Sequence, residues 1–346
     1  MSPLLSVRGL RVQFRGAAGQ ELDAVDGISF DVLPGEIVAL VGESGSGKTL
    51  TGLSLLDLVP EPGRITSGEI LFEGQDVRTA TERQKQKVRG GGIGLVFQEP
   101  GSALDPVRTI GSELIAVLRR HRHLNGSEAR REAVRWLERV SLPEPERRMD
   151  DLPHRMSGGM RQRATIALAL AGGPRLLVAD EPTTALDVTI QAQILKLLLE
   201  LRRELGLAVL LITHDLGVVA ETADRVLVMY SGEIVESASV HDLFSAPAHP
   251  YTRGLMASRP SPHEHSGGKR LQTLEGTVPE LGHRPQGCAF EPRCPEAFGR
   301  CQAARPIAFA VPDRSSRAAC FLWDGGARET RDEPLASAAS REAAPR

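Results

Sequence analysis

Three glycines, a lysine and three hydroxyls fall together in Gly42-Glu43-Ser44-Gly45-Ser46-Gly47-Lys48-Thr49. The pattern is G-x-x-x-x-G-K-[ST], that of a phosphate-binding loop. Glycine tolerates the backbone angles that let successive N–H groups curl around an anion. A helix starting near Gly47 adds free N–H groups and a positive dipole end. Gly42, Ser44, Gly45, Ser46 and Gly47, with Leu50 in the first helical turn, are thereby assigned to the phosphates of a nucleotide. Lys48 can reach the β- and γ-phosphates, and the Thr49 hydroxyl can bind Mg²⁺.

A second group lies far downstream. Leu176-Leu177-Val178-Ala179 is an apolar run that ends in Asp180-Glu181. Carboxylates at the carboxyl end of a buried strand stand where α/β sheets place their ligand chemistry. Two neighbours can divide the work, with Asp180 holding Mg²⁺ directly or through water while Glu181 polarises a water for attack on the γ-phosphate. Between the two groups, Ser157-Gly158-Gly159 precedes a helix and forms another phosphate cradle by the same N-terminal physics. One chain cannot easily bring both cradles to one nucleotide, but two copies head to tail could, each sandwiching ATP between its own loop and the partner's Ser-Gly-Gly. Phe14, a ring just before a turn, can stack on an adenine or serve as a core aromatic on a strand face.

The four cysteines, Cys288, Cys294, Cys301 and Cys320, all lie late in the chain, spaced C-x5-C-x6-C-x18-C in a proline-rich segment. Four soft thiolates there suggest a metal centre that holds the segment together. Zinc sites usually carry C-x2-C knuckles, which are missing here, whereas a [4Fe–4S] cluster needs four thiolates and accepts varied spacing; unligated thiols are the remaining alternative. His263-Glu264-His265 reads as a solvated turn.

These groups need elements to position them. Leu4 to Val32 alternates in short runs punctuated by glycines, as in a small antiparallel sheet. Glu36 to Val41 is a buried strand, and a helix follows over Leu50 to Leu58. Gly68 to Gly74 and Ile93 to Gln98 are further strands. Ile110 to Val140 is helical and broken at Asn125-Gly126, and a helix runs from Arg161 to Ala171. A long helix from Thr189 to Leu205, an apolar strand from Ala208 to Thr213 that leads into His214, and two β-like runs around Tyr230-Ser231-Gly232 complete the pattern. Alternating strands and helices that meet a glycine loop indicate a mostly parallel α/β sheet. The expected division is residues 1–258 as a nucleotide-binding domain with a helical subdomain over about 99–170, residues 259–325 as an extension, and 326–346 as a disordered tail.

The chain has 346 residues, 41% hydrophobic and 25% charged, with a net charge of −2. That composition is globular, and it argues against bulk attraction to nucleic acid or an anionic membrane. No apolar run approaches bilayer-spanning length, and the N-terminus lacks the features of a signal peptide. A cytosolic chain whose membrane contact comes through a partner is expected, and disulfides are not.

Gly42 to Thr49, Gln98, Met156-Ser157-Gly158-Gly159-Met160, Asp180-Glu181, Ala185-Leu186-Asp187 and His214 together resemble the ATP-binding cassette (ABC) ATPases over roughly residues 4–258. The resemblance implies a P-loop NTPase fold with an antiparallel β subdomain and a helical subdomain. It also implies that Phe14 stacks on adenine, that Gln98 is a Mg²⁺ ligand and γ-phosphate sensor, and that His214 contacts the γ-phosphate. Ala185-Leu186-Asp187 would lie across a dimer interface. Met156 departs from the usual leucine, a mild apolar exchange.

Gln98-Glu99-Pro100-Gly101-Ser102-Ala103-Leu104-Asp105-Pro106, His249-Pro250-Tyr251-Thr252 and the tail from Gly276 to Pro295 resemble the dipeptide/oligopeptide branch of bacterial importers. That implies a second cassette of the same or a related chain, two membrane permease subunits and, indirectly, an extracytoplasmic peptide-binding protein. The location implied is peripheral, on the cytoplasmic face of the cell membrane, with a permease helix docked near the Gln98 loop. The same resemblance favours iron–sulfur over zinc at the cysteines. Other readings are the same role for nickel or a modified peptide, or a soluble ABC ATPase acting on nucleic acid or ribosomes. The latter usually has tandem cassettes or coiled-coil inserts, and neither is present here.

Overall fold

The structure is a computed structural model that describes residues 2–16, 19–184, 186–258 and 274–325. The tail expected to be disordered (326–346), His263-Glu264-His265 and Ala185 lie outside the described residues. Two sheets organise the rest. The smaller is antiparallel, in the order β2-β1-β4-β5, from β1 (Leu5–Arg15), β2 (Glu21–Val32), β4 (Arg64–Phe72) and β5 (Gln75–Asp76). The larger runs β11-β12-β10-β9-β3-β8-β7-β6. Its strands are β3 (Ile37–Val41), β6 (Ile93–Val96), β7 (Leu176–Asp180), β8 (Ala208–Thr213), β9 (Arg225–Tyr230), β10 (Glu233–Ser239), β11 (Phe309–Ala310) and β12 (Arg317–Ala318).

Every residue of β3, β7 and β8 is buried, which is why these runs read as continuously apolar rather than alternating. Their alternate side chains feed two cores, as the two-residue repeat of a strand requires. Ile37, Ala39, Val41, Leu177, Ala179, Val209 and Leu211 face the helical side, where they join Leu114, Leu118, Ala133, Leu137 and Ile166. Val38, Leu40, Val178, Leu210 and Ile212 face the antiparallel sheet and pack with Leu5, Val7, Leu10, Ile28 and Phe30.

The core from β6 through β9 is parallel: β3 pairs with both β8 and β9, and β7 pairs with both β8 and β6. From β9 onward the pairing turns antiparallel, and two-residue strands from the cysteine-bearing extension continue the edge. The antiparallel sheet and a mostly parallel core were both expected. That the extension adds strands to the main sheet was not, because two residues leave no periodicity to read.

Element ends differ from the sequence expectations by a few residues. The helix after the phosphate loop begins at Lys48 and ends at Ser54, and β6 stops at Val96, which leaves Gln98 on a loop. The helix expected from Arg161 starts at Gly158, because the Ser157 side chain caps it by accepting from the Met160 N–H. Asn125 forms a capping box with Glu128 and starts the helix Gly126–Arg139 at the expected break.

Candidate functional site

Three adjacent strands deliver the site. In register, Val41 of β3 stands beside Thr213 of β8, and Asp180 of β7 beside Ile212. The residues that follow these ends are the glycine loop, Glu181 and His214. Parallel pairing therefore brings together groups that are far apart in sequence, at the carboxyl edge where such sheets hold ligands.

The loop is tightly seated. A β-carbon on Gly42 would stand 2.1 Å from the Met229 carbonyl oxygen, and one on Gly47 would stand 2.6 Å from that of Ala24. Gly47 also has φ of 102° at the start of its helix, a conformation that glycine permits, and no side chain caps that end. The first-turn N–H groups remain available to an anion. Lys48 folds back, its Nζ donating to the carbonyls of Gly42 and Glu43, each at 2.9 Å. Burial lowers its pKa against the pull of Glu181 and Asp180.

Glu181 is the meeting point. Its Oε2 accepts from Gln98 Nε2 at 3.0 Å and from the Thr184 hydroxyl at 2.7 Å, and its Oε1 lies 3.0 Å from His214 Nδ1. Its φ of 44° is left-handed, uncommon for a residue with a side chain. Burial would raise its pKa, but the hydrogen bonds of Thr184 and His214, with the charges of His214 and Lys48, outweigh it and hold the carboxyl below its ordinary value. The group is therefore a carboxylate at neutral pH. Thr184 went unremarked in the sequence, although its place three residues after Glu181 in a turn was a usable signal.

Asp180 behaves differently. Burial raises its pKa above the ordinary carboxylate value, with the Thr49 hydroxyl and Lys48 pulling the other way. Its Oδ1 is buried without a hydrogen-bond partner. Thr49, Gln98 and Asp180 line one cavity of about 210 Å³. An unpartnered carboxylate oxygen beside a hydroxyl and an amide oxygen suits a hard divalent cation such as Mg²⁺.

Two further expected groups make contacts of their own. Phe14 is half-buried against the second core, its ring so close to Gly63 that a β-carbon there would meet it at 2.6 Å. Ser157, Gly158 and Gly159 sit at their helix start beside Leu186 and Ile190. Among the described residues no hydrogen bond joins them to Gly42–Thr49.

The four cysteines are unpaired thiols that feel one another electrostatically, Cys294 interacting with Cys288, Cys301 and Cys320. Burial pushes Cys288 and Cys294 up to about 12 and Cys320 up to about 11, and raises Cys301 as well. Among the described residues no three Cys, His, Asp or Glu side chains are grouped so as to hold a metal ion. A structural zinc site and a [4Fe–4S] cluster both need such a grouping, so the structure shows neither at these thiols.

A protein of Bacillus subtilis, the oligopeptide transport ATP-binding protein AppD, is 47% identical over 326 residues, covering 94% of this chain and 98% of its own length. Residues 25–184 match the ABC transporter family. The chain belongs to the ABC family. Within this cassette protein, residues 235–301 also match the C-terminal region of oligopeptide/dipeptide transporters. The ATP-binding cassette MJ0796, in a dimeric post-hydrolysis structure bound to ADP and Pi, is 28% identical at a TM-score of 0.60, covering 68% of this chain and 98% of its own. The cbiO1 subunit of Clostridium perfringens, part of an ABC transporter complex, is 27% identical at the same TM-score, covering 71% and 92%. The cassette is an ATPase that couples hydrolysis to transport. No helix among its described residues is long and apolar enough to cross a membrane.

Proposed function

We propose that this cassette powers the import of dipeptides or oligopeptides through a membrane permease, from the cytoplasmic face of the membrane. The observation that carries the cargo is the match of residues 235–301 to the oligopeptide/dipeptide transporter C-terminal region, supported by the likeness to AppD along nearly the whole chain. Two permease subunits, a second cassette and an extracytoplasmic peptide-binding protein complete the assembly.

In this reading Gly42 to Thr49 and Leu50 cradle the phosphates of ATP, while Lys48, held by the Gly42 and Glu43 carbonyls, also reaches the β- and γ-phosphates. Phe14 stacks on the adenine. Thr49, Asp180 and Gln98 would hold Mg²⁺, which neutralises phosphate charge when bound. Glu181, kept ionised by its neighbours, takes a proton from the attacking water. Gln98 and His214 hold Glu181 until the γ-phosphate draws them. Ser157, Gly158 and Gly159 close the site on the partner's nucleotide, with Leu186 and Asp187 across the interface. The separation of the two cradles within one chain and the dimeric form of MJ0796 support that sandwich. Cys288, Cys294, Cys301 and Cys320 would hold a [4Fe–4S] cluster that ties the extension together.

The test is reconstitution of the cassette with its permeases in vesicles, with the binding protein outside and ATP inside. Uptake of labelled di- to pentapeptides that stops in Lys48→Ala is expected. ATP-dependent uptake of nickel without peptide uptake would refute the cargo assignment.

A further inference from the structure

Glu43 and Arg293 are 250 positions apart, yet they form a two-pronged ion pair. Arg293 Nη1 donates to Glu43 Oε2 at 2.8 Å, and Nη2 donates to Oε1 at 3.1 Å. The arginine side chain is only 7% exposed. Its guanidinium carbon lies 5.7 Å from the Tyr230 ring centroid and 5.9 Å from that of Phe290, and its Nε donates to the Glu275 carbonyl at 2.9 Å. Hydrogen bonding to Glu43 raises its pKa further, so its charge is constant at any working pH.

Glu43 is gripped at its backbone as well. Its N–H donates to the hydroxyl of the fully buried Tyr251 at 2.9 Å, and its carbonyl accepts from Lys48 at 2.9 Å. Tyr251 packs on Tyr230 with ring centroids 4.7 Å apart, and on Phe290 at 5.4 Å. One loop residue is thus tied by side chain, N–H and carbonyl to the extension, to the helix Pro250–Ala257 and to the phosphate-binding lysine. The loop pattern asks nothing of the side chain at this position.

We infer that Arg293 is a positioning residue for the nucleotide, acting through Glu43 to set the Gly42 and Glu43 carbonyls that hold Lys48. A loop fixed before binding does not lose that ordering entropy when ATP arrives. A planar two-pronged guanidinium does this where a lysine cannot, because the ammonium meets a carboxylate as a point charge. Arg293 directly precedes Cys294, so the geometry of the extension is transmitted to the loop.

The inference rests on the reading of Gly42–Thr49 as the ATP loop. The experiment is a titration of the full chain with a fluorescent N-methylanthraniloyl-ATP, paired with steady-state ATPase of the assembled transporter. The variants are Arg293→Gln, Arg293→Lys, Glu43→Gln and the Arg293→Gln/Glu43→Gln double. Each glutamine variant is expected to weaken nucleotide binding about tenfold and to raise KM more than it lowers kcat. Arg293→Lys should recover only part of the loss, and the double should be no worse than the poorer single. Unchanged affinity in both glutamine singles, or losses that multiply in the double, would overturn the inference. Should Arg293→Gln not fold, Glu43→Gln and its KM test the same coupling from the loop side. Lys48→Ala separates this inference from its foundation: binding that survives Lys48→Ala refutes the loop assignment and the inference with it. Binding that is lost in Lys48→Ala but indifferent to Arg293 and Glu43 refutes the inference alone.

Discussion

His214 Nδ1 lies 3.0 Å from Glu181 Oε1, joining the residue after β8 to the residue after β7. The pairing of Asp180 with Ile212 makes this contact possible, since it sets the two strand ends level. Gln98 reaches the other carboxylate oxygen from the loop after β6. A single carboxylate thus joins the ends of three neighbouring strands.

Replacing that carboxylate should separate binding from chemistry. Glu181→Gln keeps the shape and can still accept from Thr184, but it cannot take a proton from water. ATPase turnover should fall by roughly 10² to 10⁴, the contribution typical of a general base, while nucleotide affinity holds and a closed dimer accumulates. Gel filtration with ATP and a turnover assay read both, and wild-type turnover would remove Glu181 from the role of base.

The acid limb of the pH profile tests the His214 contact. A hydrogen bond and the charge of His214 are among the causes that keep Glu181 low against the effect of burial. Without them burial acts less opposed, so the carboxylate protonates at higher pH. In His214→Ala the acidic half-maximum of residual kcat should move toward neutrality. A limb that stays put or moves to lower pH contradicts the assignment.

The site was legible in the sequence where each group ends an apolar run. Val41, Ala179-Asp180 and Thr213 announce buried strands, and the groups after them fall at one edge because parallel strands share direction. Strand order was not legible, since nothing local to Ala208–Thr213 says that it lies between β3 and β7. The Arg293–Glu43 pair left no trace either, because a contact across 250 positions has no period or spacing. The bounds of the helix at Gly158 were missed for a smaller reason: glycines weaken helix propensity, and the Ser157 cap overrides them.

The cysteines offer a chemical test. Protein purified without oxygen should be brown, with broad visible absorbance and iron and sulfide near four each per chain, as a [4Fe–4S] cluster requires. Cys301→Ser should lose both signals and lower the melting temperature, since Cys301 packs in the small core with Phe298 and Phe321. Colourless protein with one zinc per chain would refute the cluster.

The last prediction concerns what holds the extension in place. Asp26, with a side chain 4% exposed, meets Arg11 at 2.6 Å, Arg284 at 2.6 Å and Arg305 at 2.8 Å. Arg11 comes from β1, whereas Arg284 and Arg305 come from the extension, so one carboxylate fastens that segment to the antiparallel sheet. Removing it by Asp26→Ala leaves the largely buried guanidinium of Arg284, 12% exposed, with Glu233 at 3.4 Å as its one remaining charged partner among the described residues. Breaking one side of a buried pair costs about 3 kcal/mol. Arg305 is 47% exposed, and without it Asp26 still keeps Arg11 and Arg284, so Arg305→Ala should cost about 1 kcal/mol or less. Urea unfolding of the two variants should show that order, and limited proteolysis should cut residues 274–325 sooner in Asp26→Ala. Equal costs, or an Asp26→Ala protein as stable as wild type, would mean that Asp26 does not fasten the extension, whose hold then comes from contacts such as β12 on β10 and Arg293 on Glu43.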